Sequence, residues 1–109
     1  MSKTYPIDQT TMSYFDYETV AASQSDQVLG ITGGKGDLLH RLVITVATAS
    51  TAAVSIKDGG GSAISIMPNS PGDGKGVFSV EINAASKNGA WKVTTGAGST
   101  VLAVGQFTD

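Results

Sequence analysis

Between residues 40 and 48 apolar and polar positions alternate along the chain. His40, Leu42, Ile44, Val46 and Thr48 fall on one face of an extended segment, and Arg41, Val43, Thr45 and Ala47 on the other. A repeat of two residues marks a β-strand. Both faces carry apolar side chains, which predicts a central strand. Val54 and Ile56 alternate with Ser55 and Lys57 and stop at Asp58-Gly59-Gly60-Gly61. Ile64 and Ile66 then alternate with Ala63, Ser65 and Met67 before Pro68. Two such runs across a glycine-rich turn predict a hairpin. A Gly- and Pro-rich stretch over 68–76 leads into a strand that sets Phe78, Val80 and Ile82 on one face. Asn88-Gly89 precedes Trp91, Val93 and Thr95, and Gly96-Ala97-Gly98 leads into a run over 101–107. Weaker strands over 19–23 and 27–31 bring the total to about eight.

No segment has the period of an amphipathic helix, although residues 82–87 have room for one helical turn. Short strands spaced by turn residues predict an all-β, single-domain β-sandwich of jelly-roll type. An immunoglobulin-like sandwich is the alternative, lacking here the usual cysteine pair. The first 17 residues differ in character. They hold Tyr5, Tyr14, Phe15 and Tyr17 among Asp, Gln, Thr and Ser with no period, so residues 1–17 form an N-terminal arm and 18–109 the sandwich.

With 109 residues the chain makes one domain. Charged residues are only 15%, and Gly, Ala, Ser and Thr fill the difference, a composition suited to a domain whose faces are largely covered by neighbours or to a very compact sandwich. Net charge is −2 with no basic stripe, which argues against nucleic acid as a partner. The N-terminus has no apolar run of signal-peptide length, and the apolar stretch over 38–53 is broken by His40, Arg41 and several Thr and Ser, so no membrane span is expected.

Candidate chemistry is sparse. The absence of cysteine excludes disulfides and thiolate sites, and the lone His40 with no cysteine excludes the common zinc sets. His40 reads as a partly buried, hydrogen-bonded strand residue, and no Gly-x-Ser-x-Gly elbow accompanies it. Gly33-Gly34-Lys35-Gly36-Asp37 and Gly72-Asp73-Gly74-Lys75-Gly76 resemble phosphate loops only superficially, since neither opens a helix that would aim its amides at an anion. Asp37, Asp58 and Asp73 sit in glycine-rich loops and read as turn formers rather than Ca²⁺ ligands. Asp8, Asp16, Glu18 and Asp26 show no spacing suited to acid–base catalysis. Trp91 reads as core, and an exposed Trp91 would instead point to a sugar-binding face. No enzyme, cofactor or metal is expected.

The aromatic arm is the informative feature. Four rings in a polar, aperiodic stretch are poorly served by water, and tyrosine suits an interface because it buries its ring while keeping its hydroxyl wet. Tyr5, Tyr14, Phe15 and Tyr17 are therefore the expected protein-interface residues.

Several stretches resemble the small capsid decoration or cement proteins of tailed bacteriophages: Asp26-Gln27-Val28-Leu29-Gly30, Gly36-Asp37-Leu38-Leu39-His40-Arg41-Leu42-Val43, Ile56-Lys57-Asp58-Gly59, and Gly89-Ala90-Trp91-Lys92-Val93-Thr94-Thr95-Gly96-Ala97-Gly98. The resemblance covers residues 22–107 and not the arm. It implies a jelly-roll-like virion structural protein made in the host cytoplasm, sitting on the outer surface of the head and stapling major capsid protein subunits. It also implies a homo-oligomer, dimer or trimer. A tail, neck or head-fibre-base position in the virion is one alternative, and a carbohydrate-binding sandwich for host attachment is another.

Overall fold

The computed structural model describes residues 15–70 and 74–109. Eight strands follow one another: β1 (Asp16–Val20), β2 (Gln27–Val28), β3 (Leu38–Val46), β4 (Val54–Asp58), β5 (Ile64–Met67), β6 (Gly76–Ala85), β7 (Trp91–Thr95) and β8 (Ser99–Gln106). The helical content among the described residues is a single 3₁₀ turn, Ala49–Thr51. Residues 82–85 are the end of β6, so no helical turn forms there.

The strands make two four-stranded sheets in the orders β1-β8-β3-β6 and β2-β7-β4-β5. The first strand pairs with the last, the second with the seventh, the third with the sixth and the fourth with the fifth, all antiparallel. That is one long ribbon of paired strands. Wrapping the ribbon brings β8 beside β3 and β7 beside β4, and the result is the jelly roll. Consecutive strands change sheets at every step except β4 to β5, the glycine-turn hairpin. The chain is therefore a single all-β jelly-roll sandwich and not the immunoglobulin-like alternative.

The core lies between the sheets. Val20, Leu42, Ile44, Val101 and Ala103 meet Val54, Ile56, Trp91 and Val93, together with Leu29, Leu39 and Phe107, and with Ala49 and Ala52 at the start and the end of the 3₁₀ turn. β3 is central, flanked by β8 and β6. The strict alternation expected along it fails at His40. Leu39 and Arg41 flank that residue, yet their partners on β8, Gly105 and Val104, are consecutive. This β-bulge turns Leu39 into the core and leaves His40 on the outer side, whereas an unbroken alternation puts His40 with Leu42. The bulge presses β3 onto β8 closely enough that a Cβ on residue 105 would collide with the Leu38 carbonyl, hence Gly105.

Asp16 and Tyr17, assigned to the arm from sequence, are the first residues of β1, paired with Gly105 and Val104. β1 begins and ends three residues earlier than the run over 19–23 suggests, and β2 begins where the run over 27–31 does but ends at Val28. The chain between them is shaped by Ser23 and Asp26, both with positive φ.

Candidate interface face

The two sheets present unlike outer surfaces. On β2-β7-β4-β5, Lys92 and Lys57 lie side by side across β7 and β4, followed by Thr94 opposite Ser55 and Ser55 opposite Ser65. Asp26 joins this face, accepting from Lys57 Nζ at 3.1 Å and from the Thr94 hydroxyl at 3.2 Å. Apart from Val28, it is a polar, solvated surface.

The outer face of β1-β8-β3-β6 is different. One row crosses it as Tyr17, Val104, Arg41 and Glu81, and the next as Thr19, Leu102, Val43 and Ser79. Leu102, Val104 and Val43 fill its centre and are partly exposed. Tyr17 at one side is 72% exposed and Val77 at the other 64%. Among the described residues the face holds one ion pair, Arg41 Nη2 to Glu81 Oε2 at 3.1 Å, so these charges cancel locally. The other Arg41 nitrogen donates to Ser79 Oγ at 3.1 Å. The centre of this surface is thus apolar with its charges paired at one side, whereas the opposite sheet sets two lysines side by side.

Phe15, just before β1, is 47% exposed, and its ring stacks on the His40 imidazole with centroids 4.5 Å apart and planes at 7°. His40 Nδ1 is 2.6 Å from Asn83 Oδ1. The lone histidine is thus a hydrogen-bonded strand residue. Of the expected interface aromatics, Phe15 and Tyr17 fall at this face's β1 edge, one half-packed on its own body and one exposed. Tyr5 and Tyr14 lie outside the described residues. The sequence reading missed Val43, Leu102 and Val104. Their signal was the apolar character of both faces of β3, together with the equally apolar β8.

Beside Tyr17 a cleft of about 310 Å³ is lined by Phe15, Asp16, Glu18, Gly30, Phe107 and Asp109. Glu18 serves there as a bracket. Its two oxygens accept from the Gly30 amide and from Gln27 Nε2, both at 2.7 Å, tying β1 to the chain around β2.

The loop aspartates have structural partners. Asp37 is buried, and its carboxylate accepts from the Thr108 hydroxyl at 2.6 Å, the Thr108 amide at 3.0 Å and the Gly34 amide at 2.9 Å, fastening the C-terminal segment. Its backbone carbonyl accepts from Trp91 Nε1 at 2.9 Å, and Trp91 is core. Asp58 accepts from the Asn88 and Lys87 amides, both at 2.9 Å, and those bonds hold its carboxyl below the usual value of 3.8. Asp26 is lowered too, mainly by its bond with Lys57. Asp73 lies outside the described residues. Among the described residues no three acidic or histidine side chains converge on a point that would hold a metal ion, and no helix is long and apolar enough to cross a membrane. Comparison with protein-family models, with curated proteins and with solved structures returns no match.

Proposed function

We propose that the chain is a non-catalytic attachment protein of a virus particle, of the capsid decoration or cement type, and that the outer face of β1-β8-β3-β6 lies against the shell. One observation carries this reading: the two sheet surfaces divide into a charged one and an apolar one. Leu102, Val104 and Val43 sit at the centre of the apolar face, with Tyr17 at its rim. Tyrosine beside aliphatic residues in a desolvated patch is where interface energy concentrates. On a repeating shell, many copies of a modest contact hold firmly. The placement on a phage head rests on the resemblance of the strand-and-turn segments.

The carbohydrate-binding alternative looked to an exposed Trp91. That ring is buried with its N–H bonded inside the fold, so the alternative loses its aromatic platform.

An antibody against the purified chain tests the proposal on particles released by cells that carry its gene. Labelling at many sites over each head is expected. Labelling confined to the tail or neck, or none on any particle, overturns it.

A further inference from the structure

We infer that two copies of the chain join along β6, antiparallel about a two-fold axis at Val80, so that two four-stranded sheets become one of eight. An edge strand exposes a row of unpaired N–H and C=O groups that invites another strand, and folded proteins usually blunt such edges. Three of the edges described here are blunt. β2 has two residues, β5 has four and an irregularity between Val54 and Ser55 of its partner strand, and β1 has five. β6 has ten residues, longer than any other strand. It contains no proline and no lysine, and its one charge, Glu81, is already paired with Arg41 of its own sheet. Its irregularities fall at the two ends, at Gly76 with φ 135° and at the extra residue over Ile82 and Asn83, the latter with φ 51°, which leaves residues 77–81 in regular register with β3.

The side chains of this edge identify the occupant as a second copy. Phe78, Val80 and Ile82 share the inner face, where Val80 and Ile82 pack on the core while Phe78 remains 41% exposed. With the two-fold at Val80, Val80 faces the second copy's Val80, and Phe78 faces the second copy's Ile82. The inner row is then apolar against apolar throughout, and the exposed Phe78 ring gains a cover. On the outer row Ser79 faces the second copy's Glu81, so no like charges confront each other across the pair. A two-fold contact of this kind is self-complementary and closes at two copies. It also joins the two apolar outer faces into one surface, which doubles the contact that the proposed attachment uses. Only that consequence rests on the proposed function. The pairing stands or falls on the purified chain alone.

Sedimentation of the wild-type chain should show a monomer–dimer equilibrium as concentration rises. Ser79→Glu sets a carboxylate opposite the second copy's Glu81 at both ends of the pair. It changes an exposed residue, and it should shift the equilibrium back to monomer at least about tenfold, the scale of a clash between opposed like charges in a desolvating contact. The chain has no cysteine, so a single introduced thiol reports register. Val80→Cys places two thiols opposite each other, with Cβ atoms about 4.5–5.5 Å apart before closure. It should cross-link at least about tenfold faster than Ser65→Cys, on β5, because a held pair meets at an effective concentration in the millimolar range. A wild-type chain that stays monomeric up to about 1 mM, where even a weak pair assembles, overturns the inference. So does a dimer that Ser79→Glu leaves intact and in which the Val80→Cys thiol closes no faster than the control.

Discussion

His40 on β3 and Asn83 on β6 face each other where both strands leave regular register, with Nδ1 and Oδ1 2.6 Å apart. β3 carries one residue more than β8 between Leu39 and Arg41, and β6 carries one more than β3 between Glu81 and Ala84. The two irregularities sit side by side, so the sheet bends once. Asn83 has φ 51°, a left-handed conformation that asparagine tolerates better than other non-glycine residues.

Asn83→Ala should therefore lose both the bond to His40 and the conformational preference, about 1–2 kcal/mol together. Asn83→Gly restores the backbone freedom and should recover part of that loss. Urea unfolding midpoints should fall in the order wild type, Gly, Ala. Equal midpoints for Gly and Ala would show that the backbone conformation carries no cost.

Gly105 answers the same bend from β8. A methyl group there would strike the Leu38 carbonyl and lie 2.9 Å from the Phe107 ring. Gly105→Ala should cost about 1–3 kcal/mol, the range for overpacking. Thermal unfolding measures it, and an unchanged midpoint would mean that the bulge relaxes freely.

Trp91 and Asp37 lock the C-terminal segment to the core. Trp91→Phe keeps much of the apolar area but removes one of the two donors to the Asp37 carbonyl, which still accepts from the Ser86 amide at 2.9 Å, for an expected loss of about 0.5–1.5 kcal/mol. Asp37→Ala leaves three donors, the Gly34 amide and the Thr108 amide and hydroxyl, without their acceptor and should cost at least as much. As the chain's only tryptophan, Trp91 supplies the readout: emission should be blue-shifted in the folded protein and move red on unfolding. A water-like emission maximum from the folded chain would contradict its burial.

Asp58 and Asp26 give the stability a defined pH dependence. Both carboxyls are lowered in the folded state, Asp58 by the Asn88 and Lys87 amides and Asp26 first by its bond with Lys57. The unfolded chain then binds protons more readily, so the contribution is fully present above the ordinary value of 3.8 and is lost as pH falls through the lowered folded values. Unfolding midpoints at pH 7 and pH 3 should differ more for wild type than for Asp58→Asn, which cannot titrate. Parallel pH profiles would remove Asp58 from the account.

Much of the fold was legible because its signals are local. The Asp58-Gly59-Gly60-Gly61 turn with Val54, Ile56 and Ile64 around it fixes the β4–β5 hairpin, and the apolar positions on both sides of β3 place it centrally. Alternation counts residues in twos and is blind to an inserted one, so the phase of β3 before Arg41 was misread and His40 was put with the core residues. The jelly-roll pairing of β1 with β8 joins residues more than eighty positions apart, which no local pattern encodes. For the interface, aromatic content drew attention to residues 5–17. The aliphatic centre of Val43, Leu102 and Val104 becomes visible only when β3 and β8 are neighbours.

The most direct test of the interface is an image of the particle at side-chain resolution with the chain in place. The account predicts Tyr17, Leu102 and Val104 against shell protein, with Lys57 and Lys92 turned to solvent. A particle in which the Lys57 and Lys92 surface meets the shell, leaving Leu102 and Val104 open to water, would contradict it.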